Sequence, residues 1–108
     1  MKIINKNRNF KVGIKNIKIK EVAKILLKQN EMVTFVSGKT EYDIVKKKWG
    51  YYATPSINSR LVKFNIKTCI IKSKMTNNSF IVLVQKNKMK DFNKYLSDEK
   101  CKVIKWLV

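Results

Sequence analysis

The sequence predicts an α+β fold: one mostly antiparallel sheet of about four to six strands carrying two helices, in the order (β)-α-β-β-loop-β-β-α-β. Three observations support this. Short runs of β-branched and aromatic residues, such as Met32-Val33-Thr34-Phe35-Val36 and Phe80-Ile81-Val82-Leu83-Val84, are bounded by turn residues. Two segments, one near residue 20 and one near residue 92, place apolar residues at helical spacing. A length of 108 residues, 44% of them hydrophobic, suits one domain with one core.

The elements follow in chain order. Residues 1–9 are polar and read as flexible. Phe10, Val12 and Ile14 alternate with other residues from Asn9 to Ile14, enough for a short edge strand. Asn16 reads as the cap of a helix from Ile17 to Gln29, with Ile19, Val22, Ala23, Leu26 and Leu27 as its apolar stripe. Lys20, Lys24 and Lys28 then fall on its wet side, and Asn30 ends it in a left-handed conformation. Glu31 to Ser37 is a strand, Gly38-Lys39-Thr40 a turn, and Glu41 to Lys48 the returning strand of a hairpin.

A loop containing the only proline, Pro55, comes next. Leu61 to Lys74 is a strand region, strongest over residues 66–71. Met75-Thr76-Asn77-Asn78-Ser79 turns it into the strand Phe80–Val84. A second helix runs from Asn87 or Lys88 to Ser97 and buries Met89, Phe92, Tyr95 and Leu96. Cys101 to Val108 closes the sheet as a paired strand, because an unpaired apolar tail would invite aggregation.

Charge dominates the composition, with 25 basic residues against 7 acidic ones and a net charge of +18. Such a field attracts nucleic acid, anionic surfaces or acidic partners. All but two of the cations are lysine, and Lys, Asn and Ile share A/T-rich codons, so genome composition accounts for part of the excess. No apolar run is long enough to span a membrane. Met1-Lys2-Ile3-Ile4-Asn5-Lys6 lacks the apolar stretch of a signal peptide. A cytoplasmic location is therefore expected, with Cys69 and Cys101 reduced and the Asn77-Asn78-Ser79 glycosylation match silent.

Several chemistries are disfavoured. Histidine is absent, which removes the commonest general acid–base and the commonest metal ligand. Two distant cysteines and 7 carboxylates do not suggest a metal cage, so neither metal nor cofactor is expected. Ser37-Gly38-Lys39-Thr40 resembles the end of a phosphate-binding loop, but Val33 stands where that motif needs glycine and a strand follows where it needs a helix. Cys69 reads as a small buried hydrophobe, and Cys101 as a thiol flanked by Lys100 and Lys102. Glu41 and Asp43 share one strand face and read as solvated carboxylates among lysines.

The informative stretch is Trp49 to Arg60. Trp49, Tyr51 and Tyr52 follow Lys46, Lys47 and Lys48 directly, the adjacency that base or sugar stacking uses; the same rings could instead anchor the loop. Thr54, Ser56, Asn58 and Arg60 add donors and acceptors. Arg60 is notable where lysine is the default cation, since its planar fork suits carboxylate, phosphate or ring stacking, or a structural tie to the backbone.

The block Trp49-Gly50-Tyr51-Tyr52-Ala53-Thr54-Pro55-Ser56, with Val33-Thr34-Phe35-Val36, Glu41-Tyr42-Asp43, Arg60-Leu61, Leu83-Val84 and Trp106-Leu107, resembles a family of small bacterial proteins of no established activity. That resemblance implies an accessory role beside surface-saccharide or modified-sugar synthesis. The expected function is thus a non-catalytic binding or accessory protein with a ligand site at Trp49, Tyr51, Tyr52, Thr54, Ser56, Asn58 and Arg60, rimmed by Lys46, Lys47 and Lys48. Its partner would be an anionic small molecule such as a nucleotide-sugar, or an acidic protein. A nucleic-acid-binding protein is the first alternative. A small enzyme using Tyr51, Tyr52 or Asp43 is the second. An exposed edge strand could also pair two copies into a homodimer.

Overall fold

The computed structural model describes residues 1–4 and 8–108. It is a mostly-sheet α+β protein with all its ladders antiparallel. Among the described residues its elements are β1 (Lys2–Ile4), β2 (Asn9–Val12), β3 (Ile17–Lys20), β4 (Lys24–Leu26), β5 (Met32–Ser37), β6 (Thr40–Lys47), β7 (Gly50–Ala53), α1 (Arg60–Lys63), β8 (Ile66–Ser73), β9 (Ser79–Gln85), α2 (Met89–Asp98) and β10 (Cys101–Leu107). They fall into two compact units, Met1–Pro55 and Ser56–Val108.

The first unit differs most from expectation. No helix forms over residues 17–29; β3 and β4 take its place. Ile17-Lys18-Ile19-Lys20 satisfies a period of two as well as the helical one, and its β-branched residues favour the extended reading once a partner strand is at hand. That partner is β2, with Phe10 opposite Ile19 and Val12 opposite Ile17. Asn16 is not a helix cap. It takes φ +51° at the end of the turn that opens with Gly13, and its N–H donates to the Gly13 carbonyl at 3.2 Å. Lys20, Lys24 and Lys28 therefore form no helical row: Lys20 lies in β3 and Lys24 in β4, where Lys24 pairs with Glu21 at 2.8 Å.

The base of this hairpin is held by charge. Arg8 donates through Nε and Nη2 to the two oxygens of Glu21, at 3.1 and 3.0 Å. β1 pairs with β4, so residues 2–4 are strand rather than flexible chain; the rest of that expectation falls on residues 5–7, outside the described residues, and on Arg8 and Asn9 at the entrance to the β2–β3 hairpin.

The β5–β6 hairpin is as expected, with Gly38 at φ +58° in its turn and the Thr40 hydroxyl donating to the Ser37 carbonyl at 2.6 Å. Asn30 is left-handed at φ +66°, though it leads into β5 instead of ending a helix. The next segment is not all loop: Gly50–Ala53 is β7, which pairs with β6 and completes a three-stranded sheet in the order β5-β6-β7.

The second unit keeps the expected β-β-α-β order, preceded by the short α1 where strand was expected from Leu61. Its sheet has the order β10-β8-β9, with β8 central. Ile66 and Thr68 are buried on one face of β8, Cys69 and Ile71 on the other, so this strand forms the centre of the unit's core with Leu61 and Val84. α2 packs on β9 and β10, where Phe92 meets Trp106 edge to face at 6.1 Å, and α1 packs on β8. The Lys67 ammonium sits 4.2 Å from the Trp106 ring centroid. Among the described residues the strands thus form four separate sheets in place of one sheet of about four to six strands.

Two predictions follow from this packing. The Thr68 hydroxyl is buried without a hydrogen-bond partner among the described residues. Thr68→Val keeps the shape and removes the unmet oxygen, and should raise stability by about 1 kcal/mol in chemical denaturation. The second concerns Glu21, whose hydrogen bonds from Arg8 and Lys24 lower its carboxyl pKa to about 2. A depressed folded-state pKa means that this stabilisation is complete above the ordinary value near 4.5 and is lost as pH falls toward 2. A pH titration followed by NMR should place the Glu21 side-chain transition near pH 2, and Arg8→Ala should move it upward.

Candidate functional site

The aromatic stretch is built by strand alternation. Because successive side chains of a strand face opposite ways, Tyr51 and Tyr52 lie on opposite faces of the β5-β6-β7 sheet. Tyr52, opposite Val45, stacks with Trp49 at a centroid distance of 6.4 Å and an interplanar angle of 24°. Tyr51, opposite Lys46, receives that lysine's ammonium 5.2 Å from its ring centroid. The rings are open to solvent: Trp49 is 73% exposed, Tyr51 66% and Tyr52 45%.

The three lysines of the rim occupy different settings. Lys46 donates from Nζ to the Lys47 carbonyl at 2.6 Å, which holds its ammonium over the Tyr51 ring. Lys47 Nζ donates to the Asn30 side-chain oxygen at 2.7 Å, and Lys48 is exposed in the turn between β6 and β7. Gly50, at φ +148°, follows that turn in a backbone conformation that side-chain-bearing residues rarely adopt.

The remaining residues of the stretch have local structural roles. The Thr54 backbone N–H donates to the Asp43 carbonyl at 3.0 Å, and its hydroxyl donates to Asp43 Oδ2, also at 3.0 Å. Asp43 is only 4% exposed, which corrects the expectation of a solvated carboxylate; Glu41 is exposed. Position explains the difference, since Asp43 lies mid-strand between β5 and β7 whereas Glu41 is next to the hairpin turn.

Ser56, Asn58 and Arg60 belong to the second unit. Ser56 organises the start of α1: its carbonyl accepts from the Leu61 N–H at 3.0 Å, and its hydroxyl accepts from the Arg60 N–H at 3.0 Å. Asn58 is exposed in the turn before α1. The Arg60 guanidinium lies 5.7 Å from the Phe64 ring centroid, so the one arginine of this stretch rests on an aromatic face.

Other groups that sequence reasoning weighed have resolved settings. Cys69 is fully buried, and burial raises its thiol pKa. Cys101 is half-buried with its thiol 3.6 Å from the Glu99 carbonyl. Burial also raises the Tyr42 phenol above its ordinary pKa. Among the described residues no cluster of three or more Cys, Asp or Glu side chains could hold a metal ion, and no helix is long and apolar enough to cross a membrane. What sequence reasoning missed is the shallow cleft of about 450 Å³ where α2 borders β9, lined by Leu83, Phe92 and Tyr95 among others. The uncharged character of Ser79–Gln85 was its visible signal.

No family model, curated protein or solved structure matches this chain.

The burial of Cys69 gives a direct prediction. In the folded protein a water-soluble thiol reagent should label Cys101 and spare Cys69, and both thiols should react once the chain is unfolded. Mass spectrometry of the labelled peptides reads the outcome.

Proposed function

We propose that this is a non-catalytic binding protein whose β6–β7 hairpin presents a stacking platform to a flexible, ring-bearing polyanion, best met by single-stranded nucleic acid. The observation that carries the reading is the exposure of Trp49 and Tyr51 beside Lys46, Lys47 and Lys48. Rings left in water on both faces of an edge strand lose solvent-accessible area when bases stack on them, and every base has a face to offer. The lysines supply attraction to phosphates that does not depend on base identity. The net charge of +18 draws such a ligand from a distance.

An anionic small molecule such as a nucleotide-sugar shares the ring and the charge. Small ligands usually require a concave site that buries most of their surface, and rings displayed outward on opposite sheet faces favour a ligand that drapes over an edge. An acidic protein partner would use the lysines and make little use of Trp49. A hydrolytic or group-transfer role has little support, because Asp43 is buried against Thr54 and no histidine is present to move a proton.

Fluorescence anisotropy with a labelled single-stranded oligonucleotide tests the proposal, with a nucleotide-sugar and a polyglutamate as competitors. Trp49→Ala should weaken oligonucleotide binding by about 1–3 kcal/mol, roughly fivefold to 150-fold, and affinity should fall steeply with salt. Binding that is salt-sensitive but unchanged in Trp49→Ala would leave only a cationic surface and overturn the platform. Displacement by the nucleotide-sugar at lower concentration than by oligonucleotide would transfer the site to a small ligand.

A further inference from the structure

We infer that β9 is a self-pairing edge, through which two copies of the chain join their second units into one continuous six-stranded sheet, β10-β8-β9-β9-β8-β10. This goes beyond the stacking platform and rests on different residues. The two edges of this sheet are built in opposite ways. β10 carries Lys102 and Lys105 and a register irregularity between Val103 and Lys105, both of which discourage a further strand. β9, Ser-Phe-Ile-Val-Leu-Val-Gln, has no charged residue in a chain with 25 cations, and among the described residues no strand pairs with its outer edge.

Backbone geometry fixes which groups face outward. The Ser73 N–H donates to the Asn78 carbonyl and the Lys86 N–H to the Asn65 carbonyl, both at 2.9 Å, at either end of the β8–β9 ladder. With the register of that ladder, Phe80, Val82 and Val84 direct their N–H and C=O groups to β8. Ser79, Ile81, Leu83 and Gln85 direct theirs away from it, as an antiparallel partner requires. Ile81 is 68% exposed and Phe80 51%, a high cost for apolar groups with no cover.

The sequence of β9 is compatible with its own two-fold copy. With the axis at Val82, Ser79 lies opposite Gln85 of the second copy, Phe80 opposite Val84, Ile81 opposite Leu83, and Val82 opposite itself. Polar ends meet polar ends and apolar residues meet apolar residues. All four outward-facing residues fall in hydrogen-bonded pairs, so no outward N–H or C=O of the strand is left over. No lysine faces a lysine, which matters for self-association at +18. The cleft of about 450 Å³ beside β9 lies on the side where Phe80 of the second copy would arrive, next to Val84 and Phe92. Lys88 and Asp91 in its lining contribute one charge of each sign.

Sedimentation equilibrium on the full chain, from low micromolar to several hundred micromolar, tests this. The wild type should dimerise, and more tightly at high salt, where repulsion between two +18 chains is screened. Ile81→Lys, an exposed change that circular dichroism should show to be folded, should weaken the dimer at least tenfold. Register is read by crosslinking in a Cys101→Ser background. Val82→Cys, which meets itself across the axis, should form a disulfide dimer under glutathione oxidation, whereas Ile81→Cys, two positions out of register with its copy, should not. A wild type that stays monomeric throughout, a dimer indifferent to Ile81→Lys, or equal crosslinking at positions 81 and 82 would each overturn the proposal.

Discussion

With 25 cations and 7 carboxylates, this protein cannot neutralise its surface by ion pairing, and its architecture follows from that shortage. Cohesion has to come from backbone ladders and apolar burial, which are indifferent to the sign of the surface. The few acids are used where a segment needs holding. Glu21 closes the β2–β3 hairpin through Arg8 and Lys24, Asp98 pairs with Lys94 across one turn of α2, and Asp43 ties Thr54 to the middle strand of its sheet. Lysines without a carboxylate to meet turn to carbonyls, amides and rings, as Lys46, Lys47 and Lys67 do. Long aliphatic stems let them do so while their heads stay hydrated.

Most of the carboxy-terminal half was legible because its signals had a single reading, the exception being residues 61–63, read as strand and found in α1. Ile66–Ser73 and Ser79–Gln85 are too short and too β-branched for helix, and Met89, Phe92 and Leu96 recur only at helical spacing. Residues 17–29 were not legible because two periods coexist there: Ile19, Val22, Ala23 and Leu26 satisfy a helical stripe while Ile17-Lys18-Ile19-Lys20 satisfies a strand. A neighbouring strand decides such a case, and β2 is that neighbour. Asn30 takes the left-handed conformation expected of it, but such a residue can end a helix or precede a strand, and Asn16, read as a helix cap, closes a strand-to-strand turn instead.

The candidate site shows a similar limit. That Trp49, Tyr51 and Tyr52 stand together with lysines is visible in the sequence. Their division between two faces is visible only once residues 50–53 are known to be strand, and Pro55 drew attention to loop instead. Extended pairing turns a compact cluster of letters into two separate surfaces, Trp49 with Tyr52 on one and Tyr51 with Lys46 on the other. An aromatic block read as one ligand site thereby becomes an edge whose rings can be approached from both sides.

The turns have a consequence of their own. All three glycines are at positive φ, and Asn16, Asn30, Asn65 and Asn77 share that conformation, as does Lys100 after α2. A chain poor in glycine has handed most of its reversals to an amide side chain, which tolerates the left-handed region better than other side chains because it can bond to nearby backbone. Each such asparagine narrows the unfolded ensemble more than glycine would, in exchange for mild steric strain in the native bend. The corners of this molecule are therefore stiffer than a glycine-cornered counterpart, and the hairpins they join enter folding with part of their reversal already favoured.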